Sequence, residues 1–172
     1  MQDALATMTT DVRHAFGELL ERNRKIVFKV ANTYAWTPED RADLAQDIAA
    51  QLWRAFPGYD AARSFSTWMY RIALNVAISQ VRSNTQRDRH LVSFDETLHD
   101  IADERGNDAD TNEQLRALNT VIAGLDKLNR ALLLLYLEDR SNREIGEILG
   151  LSETNVSTKI NRLKQRIRND LS

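Results

Sequence analysis

Three groups of side chains in this sequence have the types and spacing of a binding surface. The first runs from residue 59 to residue 82. Tyr59, Phe65 and Trp68 offer flat faces on which an unpaired base can stack, each stack worth about 1–3 kcal/mol. The loop Tyr59-Asp60-Ala61-Ala62-Arg63-Ser64 can pocket one flipped base, while Arg63, Arg71 and Arg82 hold its backbone and Asn75 shares their arc. The competing reading places Phe65 and Trp68 in a hydrophobic core. The second group is Asn155, Ser157, Thr158, Lys159, Asn161, Arg162 and Arg166, with short polar groups ahead of cations. That order suits a helix in a major groove, with base edges met first and phosphates held behind. The third group, Asp43, Gln46, Asp47 and Arg54, shares a helix face that by itself reads as solvated surface.

Catalytic chemistry finds little here. The 172 residues include no cysteine, which excludes disulfides, thiolate nucleophiles and cysteine-bound zinc. His14, His90 and His99 are scattered, and no glycine-rich phosphate loop appears. His99-Asp100 with Asp103 comes nearest to a metal cluster, but it sits in an acidic stretch that reads as solvated. No catalytic residue, metal or cofactor is expected, and an enzyme is disfavoured. No apolar run approaches the roughly 20 residues of a membrane span, and the first ten residues lack a signal-peptide layout, so a cytoplasmic address is expected. Net charge is −2 and pI about 5.9, which disfavours gripping DNA by bulk electrostatics.

The elements that must position these groups are helices. Six Gly and two Pro are too few turn formers for a many-stranded sandwich or barrel. Thr10 or Asp11 can cap a helix reaching about Tyr34, with Phe16, Leu19, Leu20, Val27 and Val30 as core. Thr37-Pro38-Glu39-Asp40 signals a second start: a capping hydroxyl, proline at the first position, then acids. This helix buries Leu44, Ile48, Leu52 and Ala55 and stops near Phe56 at Pro57-Gly58. A third, from about Phe65 to Arg82, buries Met69, Ile72, Ala73 and Val76. Residues 84–112 read as an acidic linker, with Phe94, Leu98 and Ile101 as short anchors. Beyond it, Ser141-x-x-Glu144 has capping-box spacing, Gly150 suits a left-handed helix end, and Ser152 opens a helix striped by Val156, Ile160, Leu163, Ile167 and Leu171. This is a helix-turn-helix, with Gly146 where the second helix must approach closely. The chain is thus all-α, with residues 1–83 and 113–172 as two small domains flanking the linker.

Two segments carry a family resemblance. Asp43-Leu44-Ala45-Gln46-Asp47-Ile48 through Leu52-Trp53, followed by Phe65-Ser66-Thr67-Trp68-Met69-Tyr70-Arg71-Ile72-Ala73 and Asn75, resembles sigma region 2. Arg143-Glu144-Ile145-Gly146-Glu147-Ile148-Leu149-Gly150-Leu151-Ser152-Glu153 through Val156 resembles sigma region 4. The chain resembles a bacterial RNA polymerase sigma factor of the extracytoplasmic-function group. It departs from the usual pattern at Leu125-Asp126, where the family has Leu-Pro, and at Thr154-Asn155-Val156-Ser157-Thr158-Lys159, where the family reads Gly-Thr-Val-Lys-Ser-Arg.

The resemblance implies a dissociable subunit that directs core RNA polymerase to promoters. Tyr59, Asp60, Arg63, Ser64, Phe65, Trp68, Arg71, Asn75 and Arg82 would read the −10 element as melted strand. Asn155, Ser157, Thr158, Lys159, Arg162 and Arg166 would read the −35 element as duplex. Asp43, Gln46, Asp47 and Arg54 would dock on the clamp helices of the largest polymerase subunit, with the flap of the second largest as a further contact. The acidic linker would thread the RNA-exit path, an anti-sigma factor is expected, and direct membrane insertion is not. The alternative is a stand-alone helix-turn-helix regulator whose first domain senses a signal or dimerises. It requires DNA affinity without polymerase, which the near-neutral charge balance disfavours.

Overall fold

The computed structural model describes residues 2–84 and 109–172, and among these every regular element is helical. The order is α1 (Gln2–Tyr34), α2 (Pro38–Ala55), a single 3-10 turn (Phe56–Gly58) and α3 (Phe65–Asn84). Then come α4 (Ala109–Gly124), α5 (Lys127–Leu137), α6 (Asn142–Leu149) and α7 (Glu153–Leu171). No helix of the described residues is long and apolar enough to cross a membrane.

α1 starts eight residues or more before the expected cap at Thr10 or Asp11. Gln2, Ala4, Leu5 and Ala6 are good helix formers, so the chain continues helical upstream instead of needing a cap there. α2 opens as the sequence reads: the Thr37 hydroxyl accepts from the Asp40 amide at 3.0 Å, Pro38 takes the first position, and Glu39 and Asp40 face the positive helix end. Leu44, Ile48 and Leu52 are buried, and they meet Phe16, Val27 and Val30 of α1. α3 departs from expectation. Its buried residues are Phe65, Met69, Tyr70, Ala73, Leu74 and Ala77, while Ile72 and Val76 are only half-buried. Spacing alone aims the helix at α1 and α2, but α3 also packs on α6, and this second neighbour widens the buried face towards Tyr70 and Leu74.

The helix-turn-helix unit begins at Ala109, inside the segment read as linker, and α3 extends to Asn84. Glu113 stands in the second turn of α4. The rest of the acidic stretch lies outside the described residues, including Phe94, Leu98, Ile101 and the His99-Asp100-Asp103 group. Arg82 sits in the last turn of α3, and its side chain is likewise outside them. At Leu125-Asp126 the family's proline is replaced by a working cap: Asp126 Oδ1 accepts from the Asn129 amide at 2.8 Å.

α5 ends on Asp139, whose φ of 58° is left-handed. Its amide bonds the Tyr136 carbonyl and the next amide, Arg140, bonds the Leu135 carbonyl, each at 3.1 Å, the paired closure of a Schellman turn. α6 opens on Ser141, whose hydroxyl accepts from the Glu144 amide at 3.1 Å. The capping box is made by half, because the Glu144 carboxylate lies 3.7 Å from Arg140. Gly150 closes α6 with φ 72°, and the Ser152 hydroxyl caps α7 through the Asn155 amide at 3.1 Å. Val156, Ile160 and Leu163 are buried and Ile167 is half-buried. Leu171 departs from the expected stripe at 48% exposed, because α7 runs past the helices it packs on.

A Cβ on Gly146 would stand 2.5 Å from the Leu151 carbonyl oxygen, which is backbone and cannot step aside. Gly146→Ala should therefore destabilise the fold by about 1–3 kcal/mol, while Gly17→Ala, with open space around it, should be neutral or stabilise by about 0.5–1 kcal/mol. Urea unfolding of both variants checks this, and an unchanged midpoint for Gly146→Ala would contradict the close approach.

Candidate nucleic-acid and polymerase interface

The loop after α2 is built before any ligand arrives. Tyr59 donates its hydroxyl to the Arg63 carbonyl at 2.7 Å, and Asp60 Oδ1 accepts from the Ala62 amide at 3.0 Å. Ser64 and Ser66 share a hydroxyl–hydroxyl bond at 3.0 Å at the mouth of α3. The rings pack on one another: Tyr59 to Trp68 at 5.1 Å, Phe65 to Trp68 at 5.3 Å, and Tyr59 edge-on to Phe65 at 5.4 Å. For Phe65 the core reading holds: it is buried at 8% exposed beneath the cluster, while Tyr59 and Trp68 are half-buried and keep part of their rings at the surface. Asp60, Arg63 and Ser64 are exposed on the loop, and Arg71 and Asn75 are exposed on α3.

On α2, Asp43, Gln46, Asp47 and Arg54 all face solvent, opposite the Leu44–Ile48–Leu52 stripe. The face is not wholly idle, since Asp47 accepts a hydrogen bond from Gln80 Nε2 of α3. Sequence reasoning missed a neighbour on this helix, Trp53. It is 38% exposed, edge-on to Phe16 at 5.0 Å and covered by Arg13 at 5.7 Å. A tryptophan next to the charged face was the available signal.

α7 presents Asn155, Thr158, Asn161, Arg162 and Arg166 to solvent, with Ser157 and Lys159 half-buried at the edges of the same arc. Arg166 lies 3.9 Å from Asp170 in an exposed pair, which solvent screens. Lys164 turns away from this arc and places its ammonium 4.6 Å over the Tyr136 ring.

The two halves touch along a polar seam that spacing could not announce. Lys29 of α1 meets Glu138 at the end of α5 at 2.5 Å, and Tyr34 donates to the Lys127 carbonyl at 2.7 Å. Arg130 stacks on Trp36 at 5.2 Å. Arg140 lies 5.1 Å over the Tyr70 ring and donates to the Ser66 hydroxyl at 2.8 Å. Burial pushes the Tyr70 phenol up to about 12, with the Glu138 carboxylate adding to the rise and the Arg140 guanidinium opposing it. Burial also raises the Tyr34 phenol well above its usual range, against the pull of Arg130. Arg130 is itself lowered by burial, against Tyr34 and Asp126.

Two family models cover most of this architecture: sigma-70 region 2 matches residues 19–87, and sigma-70 region 4 matches residues 115–167. The chain belongs to the sigma-70 family. Its curated relatives are RNA polymerase sigma factors, several of them of the extracytoplasmic-function group. SigW of Bacillus subtilis is 27% identical over 167 residues, covering 91% of this chain and 89% of the relative. CnrH of Cupriavidus metallidurans is 27% identical over 166 residues, covering 90% and 85%. The fold matches solved sigma factors as well. CnrH in complex with the cytosolic domain of CnrY aligns with TM-score 0.64 at 24% identity, over 92% of this chain and 88% of that one. RpoE of Bartonella quintana in complex with the anti-sigma factor NepR aligns with TM-score 0.64 at 16% identity, over 94% and 96%. This chain is an extracytoplasmic-function sigma factor, which directs RNA polymerase to promoters, and the stand-alone regulator is not favoured.

The seam tyrosines make the sigma factor sensitive to alkali. An unfolded phenol titrates near 10, so the stability held by a raised Tyr70 is fully present below about pH 10 and is lost as pH rises towards about 12. Urea unfolding between pH 8 and 12 should show the native protein losing stability across that window and Tyr70→Phe losing less. Parallel losses would contradict the buried, neutral phenol.

Proposed function

We propose that residues 1–83 bind core RNA polymerase and read the melted −10 strand, and that residues 113–172 read the −35 element as duplex. The protein supplies recognition, and the chemistry of RNA synthesis stays with the polymerase. One observation carries this reading: the solvent arc of α7 is polar at its start and basic further on, while its opposite face is buried against the rest of the unit. Half-buried Tyr59 and Trp68 supply base-stacking faces, with Arg63 and Arg71 beside them for phosphate. The exposed Asp43, Gln46 and Asp47 face suits a basic partner surface, where complementary charge sets specificity and association rate. This is the docking face for the clamp helices. An anti-sigma factor is a further partner, in keeping with the complexes in which the two solved neighbours were captured. A protein that acts on chromosomal promoters would do so in the cytoplasm.

In vitro transcription with core polymerase on a genomic promoter library tests the reading directly, since transcripts must start at defined sites only when the protein is added. Asp47→Arg with Gln46→Ala should cut retention of core polymerase in a pull-down by about tenfold, through reversed charge at the docking face. Folding should change by no more than about 1 kcal/mol, the worth of the exposed bond to Gln80. Full retention would remove this face from the interface. On α7, Arg162→Ala should weaken all cognate promoters about equally and reduce the salt slope by about one contact, whereas Lys159→Ala should relax preference at one −35 position at a cost of about 1–3 kcal/mol. A selection over randomised −35 sequences separates the two effects, and no change in either variant would show that α7 is not the reading helix.

A further inference from the structure

The rings that frame the loop after α2 continue inward to the core. Phe16 of α1, only 4% exposed, lies 5.0 Å from Trp53 and 5.1 Å from Phe56. Phe56 stacks on Tyr59 at 6.0 Å with 19° between the planes, and meets Trp68 edge-on at 6.2 Å. Among the described residues, Phe56 is the one ring that touches both buried Phe16 and the two rings left at the surface. Its direction is set by the backbone. Phe56 opens the 3-10 turn, and the Tyr59 amide closes that turn on the Phe56 carbonyl at 2.9 Å. Side chains three apart in such a turn eclipse one another, so Phe56 and Tyr59 are brought together by local geometry. Pro57, with its fixed φ, holds the turn in this shape. The far end of Tyr59 is tied by its hydroxyl to the Arg63 carbonyl at 2.7 Å.

We propose that Phe56 is a positioning residue for the melted strand: wedged between Phe16 and the Tyr59–Trp68 pair, its ring fixes the tilt of the two faces on which a base stacks. The inference rests on the reading of Tyr59 and Trp68 as stacking faces. Their centroids are 5.1 Å apart and their planes 52° apart. A base sliding between two rings needs about 7 Å between parallel faces, twice the stacking rise of about 3.4 Å. The pair is too close and too inclined for that, so a base stacks on an outer face, and the tilt decides where that face points. Phe65 meets Tyr59 at 85° and Trp68 at 33°, which supports both rings but leaves Tyr59 free to roll about its edge. Phe56 removes that freedom, because it lies nearly parallel to Tyr59 and is itself anchored on Phe16. An aliphatic side chain of similar bulk would fill the space without setting the angle. Aromatic pairs carry a preference for particular offsets and tilts that aliphatic contacts lack. Phe56 itself is half-buried and touches no strand in this scheme; it acts through its neighbours.

The test uses the protein bound to core polymerase and a single-stranded −10 oligonucleotide from a promoter found in the transcription experiment. The fluorescent base 2-aminopurine replaces each of its bases in turn, and stacking on an aromatic ring quenches it. The native complex should quench strongly at one or two positions. Phe56→Leu should keep core-polymerase binding and lower affinity for the strand by about fivefold to twentyfold. At saturating protein it should also leave the stacked base about twofold brighter, a change in pose that a loss of folded protein does not produce. Phe56→Tyr keeps the ring and should restore both values. Phe56→Met, unbranched and of similar bulk, repeats the ring removal if the leucine variant loses polymerase binding. Ile48→Val, a change in the buried α2 stripe outside the ring set, should lower stability and leave the quench depth native. Native quench depth at saturation in the ring-removed variant would overturn the positioning role, and so would an equal loss of quenching in Ile48→Val. No quenching by the native complex at any position would instead overturn the base-stacking reading itself.

Discussion

Carbonyl groups left over where helices end are the constraint around which both halves are built. A helix leaves its last carbonyls without amide partners, and burying them unmet is costly. Here the corners that follow α1 and α4 are tied by the same device, an arginine reaching back from the next helix to carbonyls at or just beyond the helix end. Arg41 donates to the carbonyls of Ala35 and Trp36, at 3.3 and 3.1 Å. Arg130 donates to those of Ala123 and Leu125, at 2.9 and 3.0 Å. The two finished ends then meet, with Trp36 on Arg130 and the Tyr34 hydroxyl on the Lys127 carbonyl. These corners set the directions in which α2 and α5 depart.

The two surfaces proposed to read DNA are supported in different ways. The exposed arc of α7 rests on backbone proximity: with no side chain at Gly146, α6 lies directly on the turn that launches α7. The loop after α2 rests on aromatic packing and local hydrogen bonds, with Phe65 underneath and Tyr59 tied to Arg63. One support tolerates almost no added volume. The other is an assembly of rings held at edges and tilts, where the outer faces can change partner while the inner ring stays in the core.

How much of this was legible in the sequence depends on the range of the interaction. Thr37-Pro38, Ser141, Gly150 and Ser152 signal hydrogen bonds that close within a few residues, and each formed where its spacing said. The apolar stripes of α2 and α7 were readable over Leu44, Ile48 and Leu52 and over Val156, Ile160 and Leu163, because the neighbours of each helix gather on one face, whereas Ala55 is half-buried and Leu171 exposed. α3 was misread because it is packed on two sides, and Tyr70 and Leu74 serve the neighbour that spacing does not disclose. The start of α1 was misread because a capping residue inside a run of helix formers is only a permitted start. The seam was illegible throughout: Arg140 reaches a residue 74 positions away and Lys29 one 109 positions away, and both look in the sequence like ordinary solvated charges.

Asp139 carries a consequence of a different kind. A non-glycine residue at φ 58° holds the turn that points Arg140 back across the seam. Left-handed backbone costs an L-residue about 1–2 kcal/mol, and asparagine and aspartate tolerate it better than most. Glycine would remove the strain and widen the range of turn geometries, and a β-branched residue would resist the turn altogether. The direction in which Arg140 is presented to Ser66 and Tyr70 can thus drift through inherited changes at a position that itself touches neither.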